Sequence, residues 1–337
     1  MSRKTVHTIE DIARLAVVSK STVSRALNDS PLINIETRQR IQAIAREHDF
    51  RINATARNLS MRQSHTIAFV TRHTMTDCYS MEDLFVLEMM GGIADGLHAL
   101  GYDFLMVQAD RNDGNWAHQY LDCGRVDGFI LTANNHKNQL VKTLADMGAP
   151  FIVWGIPPAK YNCCSVSGDN RTGGRLATEY LVNSGRQKIA FLGGPIDEAE
   201  VQLRFDGYEE ALQAAGRSVD PALLAYGDYS HCSGGEAMER LLEQAPDLDA
   251  VFVNSDLMAA AAINTLQDAG KRVPEEVAVV GFDDLSLAGY NSLPLTTVRQ
   301  NIPLAGRFLA QNLIQYLKTG VVTNVTIPVE LVVRKSA

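Results

Sequence analysis

A small all-α head joined to a larger α/β body of parallel sheets is predicted by three observations on this 337-residue chain. Residues 8–29, TIEDIARLAVVSKSTVSRALND, read as two short capped helices meeting at a tight turn. From Thr66 onward, short buried apolar runs alternate with amphipathic stretches at βαβ spacing. Charge is also divided: residues 1–63 hold eleven Lys and Arg against six Asp and Glu, a net +5, whereas the remainder holds twenty against thirty-three, a net −13, within a total of −8.

Thr8 can cap a first helix whose N3 residue is Asp11, and Ile9, Ile12, Ala13 and Ala16 recur behind it at helical spacing, giving one apolar face. Ser19 can cap a second helix in which Val23 and Leu27 point inward. Lys20, Ser21, Ser24, Arg25 and Asn28 are left on or near the outer side, a set of donors and acceptors with no carboxylate. Two helices so joined form a helix-turn-helix, whose second helix enters the DNA major groove with its N-terminal residues against base edges. Lys20, Ser21 and Arg25 are then the expected base readers. Spacing alone leaves an ordinary surface helix pair as the alternative, because capped amphipathic helices are common.

SPLINIE reads as a turn, and a third helix is expected from Asn34 as cap to His48, with Ile41, Ile44 and Ala45 on one face, so that three small helices share a core. In FRINATARNLSMRQSH, Asn53 can cap a helix of about two turns, too short to persist alone in water and therefore expected to fold on contact. Arg57 and Arg62 point to DNA as the contact, and Leu59 is the one large aliphatic residue of ATARNLS. It either wedges between base steps from the minor groove and kinks the duplex, or packs against the body or a partner chain. The polar SMRQS is the clearest linker, which divides the chain into a head at 1–51, a hinge helix and linker at 52–65, and a body at 66–337.

Within the body, TIAFV, DFLMVQ, DGFIL, PFIVW, KIAFLGG, AVFVN and VAVVGFDD are the expected strands. A body of roughly 270 residues exceeds what one core usually holds, so two lobes are expected. The natural ligand cleft of such sheets lies at the C-terminal ends of their strands.

Composition narrows the function. Hydrophobic content of 46% with 21% charged residues is ordinary for a globular protein. No apolar run reaches the length of a membrane span, and MSRKTVHTIEDIA lacks the apolar segment of a secretory signal, so a cytoplasmic protein with no membrane partner is expected. Cys78, Cys123, Cys163, Cys164 and Cys232 are odd in number and form no CxxC pair, which indicates neither a disulfide framework nor a zinc site; no cofactor is expected. GxSxG, a Walker P-loop, HExxH and a post-strand GxGxxG are all missing, and the eight histidines are scattered, so an enzyme is not expected. The basic head should be drawn to phosphates while the acidic body is repelled. Read alone, the body would also suit a solute-binding protein; the basic head speaks against that alternative.

Over nearly its whole length the chain resembles the lactose-repressor (LacI/GalR) family of bacterial transcription regulators. The resemblance is carried by TIEDIA, SKSTVSRALN, ETRQRI, NATARNL, VDGFIL, DNRTGGRLATEYL, IAFLGGP, RFDGYEEAL, SDLMA, VPEEVAVVGFDD, PLTTVRQ and ELVVR. It implies a helix-turn-helix head, a hinge helix and a two-lobed, periplasmic-binding-protein-like (type I) body working as a homodimer on a near-palindromic operator, with a small-molecule effector, a sugar or sugar derivative, between the lobes. The N-lobe would span about 66–167 and 296–323, and the C-lobe about 168–295 and 324–337.

Carried over by position, Lys20, Ser21 and Arg25 fall where the family reads bases, Arg25 by bidentate pairing to guanine. Ser19, Thr22, Ser24 and Asn28 fall where it touches phosphates, and Leu59 falls on the leucine that wedges into the minor groove. Arg204 of RFDGY and Asp283 of GFDD match positions that hold effector hydroxyls, with Asp256 of SDLMA and Asp169 of GDN nearby. Trp154 at a strand end and Phe85 on the first body helix could stack on a sugar ring, or simply pack in the core. For Arg204 and Asp283 the alternative is a structural salt bridge.

Three departures from the family stand out. Val17 replaces the usual glycine of the turn, which is costly for a β-branched residue if the position needs positive φ. Ile52 replaces a proline and Thr55 a leucine at the hinge entry, which loses a fixed φ. Gly155 stands where many members have an aspartate, so one effector contact of the family is not carried by this side chain. No heptad follows ELVVRKSA, so a dimer is expected rather than a coiled-coil tetramer.

Overall fold

The computed structural model describes residues 8–50, 63–72, 83–109, 115–132, 138–290 and 292–337. The chain separates into two compact units, residues 1–64 and 65–337. The expectations placed on Asn53, Arg57 and Leu59 of the hinge, and on Cys78, lie outside the described residues.

In the first unit, α1 (Ile9–Ala16) opens with the Thr8 hydroxyl accepting from the Asp11 amide at 3.2 Å while the Asp11 carboxylate takes the Thr8 amide, a reciprocal capping box. Helix α2 (Lys20–Leu27) is capped by Ser19, whose hydroxyl accepts from the Thr22 amide at 3.1 Å, and α3 (Ile35–Glu47) by Asn34. Ile12, Ala13, Ala16, Val23, Ala26, Ile41 and Ala45 form the shared core, with Leu27 and Ile44 at its margin. Two α3 side chains also close the C-terminal ends of the other helices, where carbonyls lack helical partners. Arg40 donates to the Ala16 carbonyl and Gln42 to that of Ala26.

The second unit holds two parallel-rich sheets. The first runs β11 (Asn324–Ile327), β5 (Cys164–Gly168), β4 (Phe151–Trp154), β3 (Gly128–Thr132), β1 (Thr66–Arg72), β2 (Asp103–Ala109), all parallel. The second runs β12 (Glu330–Val332), β10 (Thr296–Arg299), β9 (Ala278–Asp283), β8 (Ala250–Val253), β6 (Ile189–Gly193), β7 (Leu224–Tyr226), parallel except for the antiparallel β10–β12 pair. Strands β3, β4, β6, β8 and β9 are buried at every position, because helices cover both faces of each sheet. On the first sheet, α4 (Asp83–Ala99) and α12 (Ile302–Thr319) cover one face, with α5 (Trp116–Leu121) and α6 (Asn138–Asp146) on the other. On the second, α7 (Asn170–Asn183) and α8 (Ala199–Ala214) lie opposite α9 (His231–Gln244) and α10 (Asp256–Asp268).

All seven expected body strands are present. Strands β5, β7, β10, β11 and β12 were not anticipated: they are three to five residues long, and β5, CSVSG, alternates buried with half-buried positions instead of forming an apolar run. Two lobe boundaries are corrected by the pairing. Thr296–Arg299 belongs to the second sheet, bonded to β9, and Asn324–Ile327 to the first, bonded to β5. Each of these strands precedes a crossing between the sheets, so the crossings fall after β5, after β10 and after β11.

Candidate functional site

On α2, Lys20, Ser21, Arg25 and Asn28 are exposed, and Thr22 and Ser24 half-exposed, while Val23 and Ala26 are buried. The outward set runs from the first turn of the helix to its C-cap, and it contains no acidic side chain. Some of its polar atoms have partners within the head. The hydroxyls of Ser19, Ser21 and Thr22 lie 2.7–2.8 Å apart in a chain, Lys20 Nζ reaches Glu10 at 2.5 Å, and the Asn28 amide donates to the Ser24 carbonyl. Arg25 is exposed, and among the described residues it forms no ion pair. Val17, in the turn before α2, adopts φ 54° and ψ 46° and is 87% exposed.

In the body, the side chains of interest gather where the C-terminal ends of the two sheets face one another. Hydrogen bonds span the two lobes there: Glu88 of α4 accepts from the Ser286 amide at the start of α11 (Ser286–Tyr290), and Glu200 of α8 accepts from the Ile156 amide just past β4. Arg204 is 6% exposed; its Nε donates to Asn170 Oδ1 at 2.8 Å, its Nη1 to the Asn254 carbonyl, and its guanidinium lies 3.7 Å above the centre of the Phe282 ring. The local sequence explains this placement. A Cβ on Gly174 would sit 2.1 Å from the Arg204 carbonyl and one on Gly207 2.1 Å from that of Arg171, so α7 and α8 can touch backbone to backbone only with glycine at both positions. That contact carries Arg204 onto Asn170 at the start of α7.

Asp283 is 7% exposed, ends β9 at φ 116°, and accepts from Gln300 Nε2 at 2.6 Å. Burial pushes its pKa up to about 7, against the pull of Arg204 and Gln300, with Glu88 adding to the rise. The hydrogen bonds of Arg204 and Asp283 go to amides and carbonyls, not to each other, so the salt-bridge alternative does not describe them. Asp256 is fully buried, with one oxygen accepting from the Leu285 amide at 2.7 Å and the other from Thr297 Oγ1 at 2.5 Å. Its carboxylate ties α10 to the segments after β9 and within β10. Asp169 caps α7 through the Thr172 amide. Asp256 thus has both oxygens engaged with the framework, whereas the cap of α7 engages Oδ1 of Asp169.

Trp154 is 9% exposed at the end of β4, with the Phe85 ring 6.1 Å away, and both belong to the hydrophobic cluster that also contains Leu285 and Leu287 of the second lobe. The pair is thus packed where the lobes approach. Gly155, next along, has φ 108°, a backbone that an aspartate side chain would strain. Residues not anticipated complete the site: Glu198, Glu200, Tyr229, Asn254, Gln300, Asn170 and Glu88. Glu198 is buried, accepts from the Tyr229 hydroxyl, and is pushed up to about 7 by burial, with Glu200 adding to the rise. Among the described residues, both polar side-chain atoms of Asn254 and Oε1 of Gln300 are buried without a hydrogen-bond partner. An excess of Asp and Glu around the GGP turn was the available signal. A separate concavity of about 400 Å³, lined by uncharged residues including Tyr161, Ser165, Ser167, Asn324 and Thr326, lies beside β5 and β11. Among the described residues no cluster suits a metal ion, and no helix is long and apolar enough to cross a membrane.

Residues 8–53 match the profile of bacterial regulatory proteins of the lacI family, and residues 178–337 that of a periplasmic binding protein-like domain. The HTH-type transcriptional regulator CelR of Thermobifida fusca is 36% identical over 340 residues, covering 98% of this chain and 97% of that protein. The chain belongs to the lacI family of bacterial regulatory proteins. The ribose operon repressor of Escherichia coli K12 is 30% identical across 87% of this chain and 88% of its own length. Among solved structures, a CelR–cellobiose complex matches with a TM-score of 0.75 at 33% identity, covering 98% of this chain and all of the other. A lac repressor dimer bound to operator and the anti-inducer ONPF matches at 0.81 and 27% identity, covering 99% of each chain. This lacI-family chain is accordingly a DNA-binding transcriptional regulator, with a helix-turn-helix head and a two-sheet α/β body.

Proposed function

We propose that this regulator is a cytoplasmic repressor whose homodimer grips a near-palindromic operator and releases it when a sugar binds between the lobes of the body. The observation that carries the reading is the buried Arg204, pinned by Asn170 and Asn254 beside Asp283, with unpartnered amide atoms of Asn254 and Gln300 in the same region. Such a set offers donors and acceptors of both kinds to vicinal hydroxyls, and buried polar atoms without partners are rare unless something else completes them. Arg204 and Asp283 hold hydroxyls, the Trp154–Phe85 pair supplies an apolar wall, and Asp169 and Asp256 fix the backbone around them. The CelR relative, solved with cellobiose, favours a glucoside as the first sugar to try.

Lys20, Ser21 and Arg25 read base edges, and Ser19, Thr22, Ser24 and Asn28 meet phosphates. Asn53, Arg57 and Leu59 belong to the same DNA-contacting set, with Leu59 directed to the minor groove. The head at 1–51, the hinge at 52–65 and the body at 66–337 act as one two-state switch. Sugar binding moves the equilibrium only by its differential affinity for the two lobe arrangements, so a strong response needs about a 10⁴-fold preference.

A gel-shift titration against promoter DNA tests the proposal. Affinity should fall steeply with salt, as counterion release requires, and cellobiose should release the complex. Absence of DNA binding at low salt would favour a solute-binding role, and a sugar that tightens the complex would reverse the sign of the switch.

A further inference from the structure

We infer that the cleft selects an uncharged or cationic saccharide and rejects phosphorylated sugars, with Glu198 and Glu200 at the start of α8 as the discriminating residues. The inference rests on the sugar reading above and adds the charge class of the ligand. Three carboxyl groups act on Arg204, those of Glu198 and Glu200 at the start of α8 and of Asp283 at the end of β9, and a fourth, Glu88 from α4 of the other lobe, acts on Asp283. Among the described residues, none of the four forms an ion pair with a lysine or arginine. Two of the three guanidinium nitrogens of Arg204 are held by Asn170 and Asn254. A phosphate group would therefore meet several carboxylates and a cation that is already engaged.

Hydroxyl groups meet the same surroundings favourably, because an ionised carboxylate accepts hydrogen bonds and donates none. The polar side chain left unpartnered supports the presence of a ligand here. Along β8, Ala250 and Phe252 pack on the side of Phe282, whereas Val251 and Val253 pack on the opposite side. Asn254 follows β8 directly, and its carbonyl accepts from Nη1 of Arg204, which sets it beside the guanidinium that lies over Phe282. Among the described residues both polar atoms of its side chain are unpartnered, and it is fully buried. A neutral saccharide hydroxyl can satisfy Asn254 while donating to Glu198 or Glu200. Burial raises the Glu198 pKa, and Glu200 adds to the rise, against the pull of Arg204.

Isothermal titration of the full chain at pH 8 tests the inference with matched pairs: cellobiose, glucose and ribose, each against its terminal phosphate ester, and glucosamine against glucose. The expected result is binding of at least one neutral or amino sugar, with its phosphate ester weaker by about tenfold or more. Combined Glu198→Gln and Glu200→Gln substitution should narrow that gap, since the amides keep the shape and remove the charge. A phosphate ester that binds as tightly as its parent sugar would overturn the inference while leaving the sugar-responsive switch intact. An undiminished gap in the double variant would overturn the assignment to these two residues. If no sugar of any charge binds, the sugar reading and this inference fall together.

Discussion

Val17 occupies φ 54° and ψ 46° at the end of α1, the left-handed conformation in which a β-branched side chain crowds its own backbone. The side chain is exposed, so no burial offsets the strain. For an L-residue that conformation costs roughly 1–2 kcal/mol. Glycine removes most of this cost, although its greater freedom in the unfolded chain returns about 0.4–1 kcal/mol. Val17→Gly should therefore raise the melting temperature of the head by a few degrees, followed by circular dichroism of the full chain; an unchanged or lower value would mean that the turn is not strained. The same scale separates two aspartates that look alike in the sequence. Asp256 has both oxygens occupied by Leu285 and Thr297, whereas the Asp283 carboxyl is held by Gln300 beside Arg204. Which carboxyl has both oxygens occupied depends on partners up to 41 residues away, as with Thr297, and local pattern does not encode them.

At the scale of elements, the α7–α8 pair decides where Arg204 stands. Gly174 and Gly207 let the two helices meet at backbone distance, and the RTGGR and RFDGY motifs acquire a physical meaning from that contact. In Gly207→Ala the new Cβ would lie 2.1 Å from the Arg171 carbonyl, an atom that cannot rotate away. The helices would have to part, at a cost of about 1–3 kcal/mol typical of overpacking. Urea denaturation should show a lowered midpoint, and sugar release of DNA should weaken because Arg204 shifts with α8. An unaltered midpoint would indicate that the helices can part without cost. The recognition helix is a contrasting case: its caps, its buried Val23 and its outward Lys20, Ser21 and Arg25 were all legible from spacing, because a short capped helix is specified by its own residues.

For the whole molecule, the buried carboxyls of the cleft set the direction of pH dependence. Glu198 and Asp283 are both pushed up to about 7, chiefly by burial, while in the unfolded chain they titrate near the ordinary carboxylate range of about 4. The folded state then binds more protons than the unfolded state between those limits, so stability is greatest at the acid end and is lost as pH rises toward 7 and above. Glu198 faces Glu200, Asp197, Tyr229 and Arg204, and only Arg204 among these carries positive charge. Carboxylates with lowered pKa, such as Asp247 and Glu276, are exposed and contribute little against this trend. The thermal transition of the body should move downward from pH 5 to pH 8, and Glu198→Gln should flatten the slope; a transition that rises over this interval would contradict it.

The sequence by itself determined the capped helices of the head, the seven apolar strands, the division of charge between a basic head and an acidic body, and the identities of Arg204 and Asp283 as residues of interest. The helices and strands follow from local periodicity and capping chemistry, the division of charge from composition, and the interest of Arg204 and Asp283 from the resemblance of RFDGY and GFDD to the family. Only the tertiary structure decided that Thr296–Arg299 pairs with the second sheet and Asn324–Ile327 with the first, since such short strands are specified by their neighbours rather than by an apolar run. It alone brought Asn170 of α7, Asn254 after β8 and Asp283 of β9 to Arg204 from three other parts of the chain. Long-range pairing creates that juxtaposition, and with it the charge and burial that define the candidate site.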